Sequence, residues 1–258
     1  MIDSHCHLIS NVFSQNPEEL VREAVENGVN TIICIGIDAV SSRQSVELAD
    51  KYDEVYATVG LHPHDAKKYS DTLLKEIREL AGHKKVVAIG ECGLDYYRNL
   101  SPQNIQKKAF TAQLELATEL KKPVVIHTRE SLEDALAVVS EYQSKLVGGV
   151  FHCFPGTVQD AERISNLGFQ VSFGGVITFN NSQMSRVAGT VALENIILET
   201  DAPYLTPEPF RGKPNRPAYV RYVYEKLAEL RRCSFQEIEK TIDRNCRKLF
   251  RLVETFEG

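Results

Sequence analysis

No stretch of the 258-residue chain approaches the roughly 18 consecutive apolar residues that a membrane-spanning helix needs, so no such helix is expected. The opening run Met1-Ile2-Asp3-Ser4-His5 is too polar for the hydrophobic region of a secretion signal. Cysteine is sparse: Cys6, Cys34, Cys92, Cys153, Cys233 and Cys246 are scattered, with no CxxC or other close pairing. That spacing argues against a disulfide framework and a thiolate zinc site, and it reads as a reduced, cytoplasmic chain without a membrane association. Positive charge is also short, since 35 acidic residues outnumber 30 Lys and Arg for a net charge of −5. A DNA-binding scaffold would carry the opposite excess, so any anionic substrate needs a local cluster of cations. Missing too are a Walker-type loop, a Gly-rich first turn for a nucleotide, an internal repeat and a low-complexity linker. The chain is therefore expected to form one domain over residues 1–258, and nothing in it implies an obligate protein partner.

What remains is a composition ordinary for a globular protein, 43% hydrophobic and 25% charged, arranged as short β-rich apolar runs that alternate with helical patterns. Eight runs are visible, near Met1–His5, Val29–Ile37, Val55–Leu61, Val86–Glu91, Pro123–His127, Gly149–His152, Phe169–Phe173 and Ile196–Thr200. Between the first two, Asn16 can cap a helix, Pro17 suits its first position, Glu19 sits where a capping box wants it, and Gly28 can stop it. Ser101-Pro102 is expected to start another helix in the same way, with Phe110, Leu114, Ala117 and Leu120 at helical spacing. Eight βα units in one series predict an α/β fold with parallel strands, a (β/α)8 barrel, rather than an open doubly wound sheet. Two further helices, about Ala218–Arg231 and Phe235–Leu252, follow a Pro-rich loop from Ala202 to Pro217.

Six ligand-type residues fall at, or one step past, the expected C-terminal strand ends: His5, His7, Glu91, His127, His152 and Asp201. In a barrel those ends converge on one mouth. His5 and His7 are two apart, so an extended backbone sends both imidazoles to one side and Cys6 to the other. Taken singly, most have a bland explanation: Glu91 a buried salt bridge, His127 and His152 core histidines, Asp201 a helix cap. Five strand ends all carrying a ligand type by accident is the less economical account. Four imidazoles and two carboxylates suit zinc, manganese or nickel better than calcium. Six ligands exceed what one zinc with an open position takes, so two cations bridged by a carboxylate, with Glu91 the natural bridge, are expected. His5, His7 and Asp201 would hold one, His127 and His152 the other. Cys6, Cys92 and Cys153 each follow a ligand by one residue and should face the helix layer as small core residues.

The runs Ile2-Asp3-Ser4-His5-Cys6-His7, Gly60-Leu61-His62-Pro63-His64, Ile89-Gly90-Glu91-Cys92-Gly93-Leu94-Asp95-Tyr96-Tyr97, His127-Thr128-Arg129, His152-Cys153-Phe154-Pro155-Gly156 and Glu199-Thr200-Asp201-Ala202-Pro203-Tyr204-Leu205 resemble the TatD family of metal-dependent deoxyribonucleases. So does the tail Arg211-Gly212-Lys213-Pro214-Asn215-Arg216-Pro217 with Asn245 and Leu249-Phe250. The similarity covers essentially the whole chain. It implies an amidohydrolase-like TIM barrel, a binuclear centre of zinc, manganese or magnesium on the six residues already named, and hydrolysis of phosphodiester bonds in DNA.

The chemistry agrees with that resemblance. A two-cation centre can bind the phosphate charge and generate a nucleophile at neutral pH, with Asp201 placed to take a proton from water beside Glu91. His62 is read as a catalytic group, contacting phosphate or protonating the leaving group. His64, Arg129, Arg211, Lys213 and Arg216 are read as substrate contacts, the last four forming the local basic patch, while Tyr96 and Tyr97, expected in the loop after Glu91, either offer a ring on which a base can stack or pack against the protein. The expected substrate is single-stranded DNA and the expected mode exonucleolytic. Two rivals stand beside this reading. One is an amidohydrolase-type hydrolase of a small ester, amide or lactone, disfavoured because Glu91 stands where such enzymes often use a modified lysine and the Lys84-Lys85 pair precedes the strand. The other is a non-catalytic binding protein stabilised by metal, disfavoured by the extra polar groups around an open mouth.

Overall fold

Each of the eight apolar runs folds as a strand in the computed structural model, which describes residues 1–252. The strands are β1 (Ile2–Cys6), β2 (Thr31–Ile35), β3 (Val55–Val59), β4 (Val86–Asp95), β5 (Val124–Arg129), β6 (Gly149–Phe151), β7 (Phe169–Phe173) and β8 (Ile196–Leu198), paired in chain order within one sheet. All seven successive pairings are parallel. Helices α1 (Pro17–Glu26), α2 (Ala39–Lys51), α3 (Asp71–Ala81), α4 (Gln103–Leu120), α5 (Leu132–Tyr142), α6 (Val158–Asn166) and α7 (Gln183–Thr190) make the crossovers, α8 (Val220–Arg231) follows β8, and α9 (Phe235–Phe250) comes last. The fold is the expected (β/α)8 TIM barrel. Among the described residues no helix is long and apolar enough to cross a membrane.

Local chemistry explains where the helices begin. Asn16 accepts from Glu19 N at 2.9 Å and Pro17 opens α1, which then buries Leu20, Val21 and Ala24 at helical spacing. The start of α4 differs from expectation. Ser101 does not cap it, because its hydroxyl donates to His64 O (2.8 Å) and accepts from Lys67 N (3.0 Å), tying the β3–α3 loop to α4.

The sheet's two faces make two cores. Leu20, Ala24, Phe110, Leu114, Val139 and Ile164 of the helices pack with Ile32, Val59, Ile89, Ile126, Phe151 and Leu198 of the strands. Inside the barrel, Ile2, Ile33, Ile35, Val125, Val150 and Ile197 meet Cys246 and Phe250, so α9 plugs the N-terminal end.

Alternation then assigns faces, except where the ladder slips. Ile2 lies in the interior core and Cys6 in the helix-side core although they are four residues apart, which an unbroken strand forbids. The register shift between Asp3 and Cys6 inverts the phase and turns His5 and His7 inward. In β4, Ile89 and Cys92 both face the helices across another register shift. Without that slip Glu91 would share the outward face of Ile89. The glycines on either side permit it: Gly90 (φ 138°) would bring a Cβ to 2.5 Å from Val125 O, and a Cβ on Gly93 would collide with His127 O.

The seam between β8 and β1 closes just past the strand ends. Asp201 N donates to His5 O (2.9 Å) and His7 N donates to Ala202 O (2.8 Å). Below them the buried Asp3 carboxyl group is hydrogen-bonded by Thr200 N (2.9 Å) and Thr200 Oγ1 (2.6 Å).

Candidate metal centre

Closure of the seam carries Asp201 to His5 of β1 and His7 just past it, and the slip in β4 brings Glu91 between them and the histidines of the opposite wall. Glu91 is thus not at a strand end as expected. β4 continues to Asp95, paired with Arg129, because the ladder resumes after the slip. Glu91 Oε2 lies 3.5 Å from His5 Nε2 and 3.7 Å from His7 Nε2, with Asp201 Oδ1 at 3.7 and 3.4 Å from the same nitrogens. Glu91 Oε1 lies 2.9 Å from His152 Nε2, 3.0 Å from His127 Nδ1 and 3.3 Å from His62 Nε2. All six expected ligands are therefore brought together, and His62 joins them.

The donor set suits a divalent cation. The ligand atoms of His5, His152 and Asp201, of His5, His7 and Glu91, and of His62, Glu91 and His127 each fall within 4.8 Å of one another. Donors bonded to one cation at about 2.1 Å lie at most about 4.2 Å apart, so such groups need only a small closure to hold one. The Nε2 atoms of His5 and His7 are 3.3 Å apart, a separation suited to two nitrogens aimed at a common point.

A model of the TatD related DNase family matches residues 2–251 of this chain. The uncharacterized metal-dependent hydrolase YabD of Bacillus subtilis is 40% identical, with 98% of this chain and 99% of that protein aligned. The chain belongs to the TatD family of metal-dependent hydrolases. A second TatD relative, the 3'-5' ssDNA/RNA exonuclease TatD of Pantoea ananatis, is 36% identical over 98% of this chain and 100% of its own length. The crystal structure of YjjV, a TatD homolog from Escherichia coli, superposes with a TM-score of 0.91 at 34% identity, covering 98% of both chains.

Electrostatics in this TatD site follow from burial opposed by pairing. Burial alone would raise the Glu91 carboxyl, yet the imidazoles of His152, His62 and His127 hold it well below the usual range. Burial would likewise neutralise His152, but Glu91 and Glu199 push it well above an ordinary imidazole. His62 goes the other way: burial lowers it to about 4 despite Glu91. Its Nδ1 accepts from His64 N at 3.2 Å, so the neutral ring carries its proton on Nε2.

Two carboxylates at this TatD centre escaped the sequence reading. Asp95 is fully buried and accepts from His127 Nε2 and His64 Nε2. Glu199 is buried beneath His152 and accepts from Cys153 N (2.7 Å) and Ser172 Oγ (2.5 Å). A signal for Glu199 existed, since it stands two residues after the interior Ile197 and so on the same face.

Around the rim the structure sorts the expected contacts. Arg129 is exposed and stacks over the exposed Tyr97 ring at 3.9 Å, whereas Tyr96 packs on the core and donates to Asp134 (2.6 Å). Exposed Arg211 lies 3.7 Å over Phe179, and Lys213 is 5.9 Å from the Phe210 ring. Arg216 departs from expectation: its Nη1 is paired with both Glu23 oxygens on α1 (3.0 and 2.9 Å). Asn215 anchors the loop by donating to Thr200 O and Tyr204 O, and that anchoring turns Arg216 toward α1. His64 has its Nε2 committed to Asp95 at 2.8 Å. Cys6 and Cys92 sit in the helix-side core as expected, but Cys153 does not, because a left-handed backbone (φ 45°) just past β6 leaves it partly exposed in a turn.

Proposed function

We propose that the chain is a two-cation nuclease that hydrolyses phosphodiester bonds of single-stranded DNA from an end. The observation that carries this reading is the division of Glu91: one oxygen faces His5 and His7 with Asp201 beside them, the other faces His127 and His152. Two cations held on those sets would supply Lewis-acid stabilisation of phosphoryl charge and a water acidic enough to ionise near neutral pH. Asp201, whose carboxylate lies beside His5 and His7, accepts the proton of the attacking water. His62, neutral and with its Nε2–H aimed into the centre, donates a hydrogen bond to a phosphate oxygen. That tautomer disfavours His62 as a cation ligand, and as a leaving-group acid it would have to become an imidazolate. Arg129 with Tyr97, and Arg211 with Lys213, give the strand a cationic and aromatic rim. Lys85, at the other end of β4, donates to Tyr52 O, Asp53 O and Val55 O and leaves the bridging place to Glu91. The name of the Pantoea relative supports a single-stranded nucleic acid as substrate.

The test is release of nucleotides from end-labelled single-stranded DNA in magnesium, manganese or zinc, run beside turnover of small esters and lactones. Nucleotide release that disappears in the Asp201→Asn protein, with circular dichroism unchanged, is the expected result. DNA left intact under every metal while an ester is hydrolysed refutes the nuclease reading.

A further inference from the structure

His127 faces the centre with one ring nitrogen and a buried carboxylate with the other. Its Nε2 is 3.0 Å from Asp95 Oδ2, and its Nδ1 is 3.0 Å from Glu91 Oε1 and 3.4 Å from His152 Nε2. Asp95 is itself held: Oδ2 also accepts from His64 Nε2 (2.8 Å), and Oδ1 accepts from Arg98 N (2.7 Å). A neutral imidazole has one N–H, so donation from Nε2 to Asp95 leaves Nδ1 as a lone pair directed at the converging donors. The other histidines are backed less firmly. Glu199 Oε1 stands 3.5 Å from His152 Nδ1, too long for a full hydrogen bond, and among the described residues His5 Nδ1 has no hydrogen-bond partner.

We propose that Asp95 is a positioning residue that fixes His127 as its Nδ1-coordinating tautomer, and that cation binding on the Glu91 Oε1 side of the centre depends on it. The proposal rests on the two-cation reading above. It also makes the two halves unequal: the His127 side is preorganised by a carboxylate, while on the other side His5 Nδ1 has no such partner among the described residues. A carboxylate behind a ligating histidine raises its basicity and holds its ring, and its loss typically lowers metal affinity about 10–100-fold.

The experiment is titration of chelator-treated protein with zinc and with manganese, following both binding steps by competition with a fluorescent chelator, for the wild type and for Asp95→Asn. Asp243→Asn, on α9 where its carboxylate meets the Met1 amine and Tyr224 OH at the plugged end of the barrel, is the control for general loosening. The expected result is a 10–100-fold weakening of one step in Asp95→Asn with the other step unchanged, and neither step altered in Asp243→Asn. Ring-nitrogen NMR of the zinc-loaded wild type should show the His127 proton on Nε2, and in metal-free Asp95→Asn the preference for that nitrogen should weaken. Two unchanged steps, an equal fall of both, or a His127 proton on Nδ1 overturns the proposal while leaving the two-cation reading intact. A wild type that binds no cation overturns both.

Discussion

Replacing Glu91 by glutamine tests the centre at the one atom pair on which both halves depend. The side chain is 3% exposed, with three imidazole nitrogens within 3.3 Å of Oε1 and two more within 3.7 Å of Oε2. An amide presents a donor where one of these oxygens was, so at least one set of ligands loses its shared anion. The size of the effect follows from linkage. A cation at about 1,000 times its Kd adds about 4.1 kcal/mol to the stability of the form that binds it. For 258 residues the unfolding entropy is about 0.5 kcal/mol/K, so each bound cation raises Tm by about 8 °C. Calorimetry of chelator-treated protein, with and without zinc or manganese, should therefore show a rise of up to about 16 °C in the wild type for two cations. Glu91→Gln should lose most of that rise while its metal-free Tm moves by a few degrees, the scale of one or two hydrogen bonds at about 1–3 kcal/mol. A glutamine variant that keeps the full rise and binds two cations would refute the bridging role.

His62→Phe should lower kcat by about 100-fold with cation stoichiometry unchanged, and His62→Gln, which restores an N–H donor, should recover part of it; loss of a cation in His62→Phe would show that His62 is a ligand after all. Burial raises the Asp3 carboxyl to about 8 despite its bonds from Thr200, so the folded chain holds a proton that the unfolded chain releases at about 4. The stability contributed by that proton is present in full below the unfolded value and is lost as pH rises through about 8. Asp3→Asn keeps the shape of the protonated acid, so its Tm, measured on metal-free protein from pH 5 to 9, should fall less steeply than that of the wild type. Parallel profiles would show that Asp3 is ionised throughout.

In strands β5, β6 and β8 simple alternation suffices: Val125 predicts the inward face of His127 and Val150 that of His152, and Ile197 carries the same signal for the overlooked Glu199. In β1 and β4 alternation misleads. Extrapolated from Ile89, Glu91 faces the helices, and a register slip that depends on pairing with β5 reverses it. Asp95 was hidden for the same reason, since the run Val86–Glu91 gives no hint that the strand resumes and ends four residues later. Arg216 shows the converse. Its sequence neighbours place it beside Asp201, and the fold of the loop sends it to Glu23.

By itself the sequence determined the number and order of the strands, the two-apart spacing of His5 and His7, and the ligand types near the strand ends, because these depend on local periodicity. Tertiary structure decided which nitrogen of each imidazole meets which carboxylate, and that choice makes a set of six residues into a centre. Residues nearly 200 positions apart meet only when the seam closes through Asp201 N and His5 O. The orientation of Glu91 exists only once β5 has paired past the slip in β4. Both are properties of the hydrogen-bond ladder between strands, which no single segment contains.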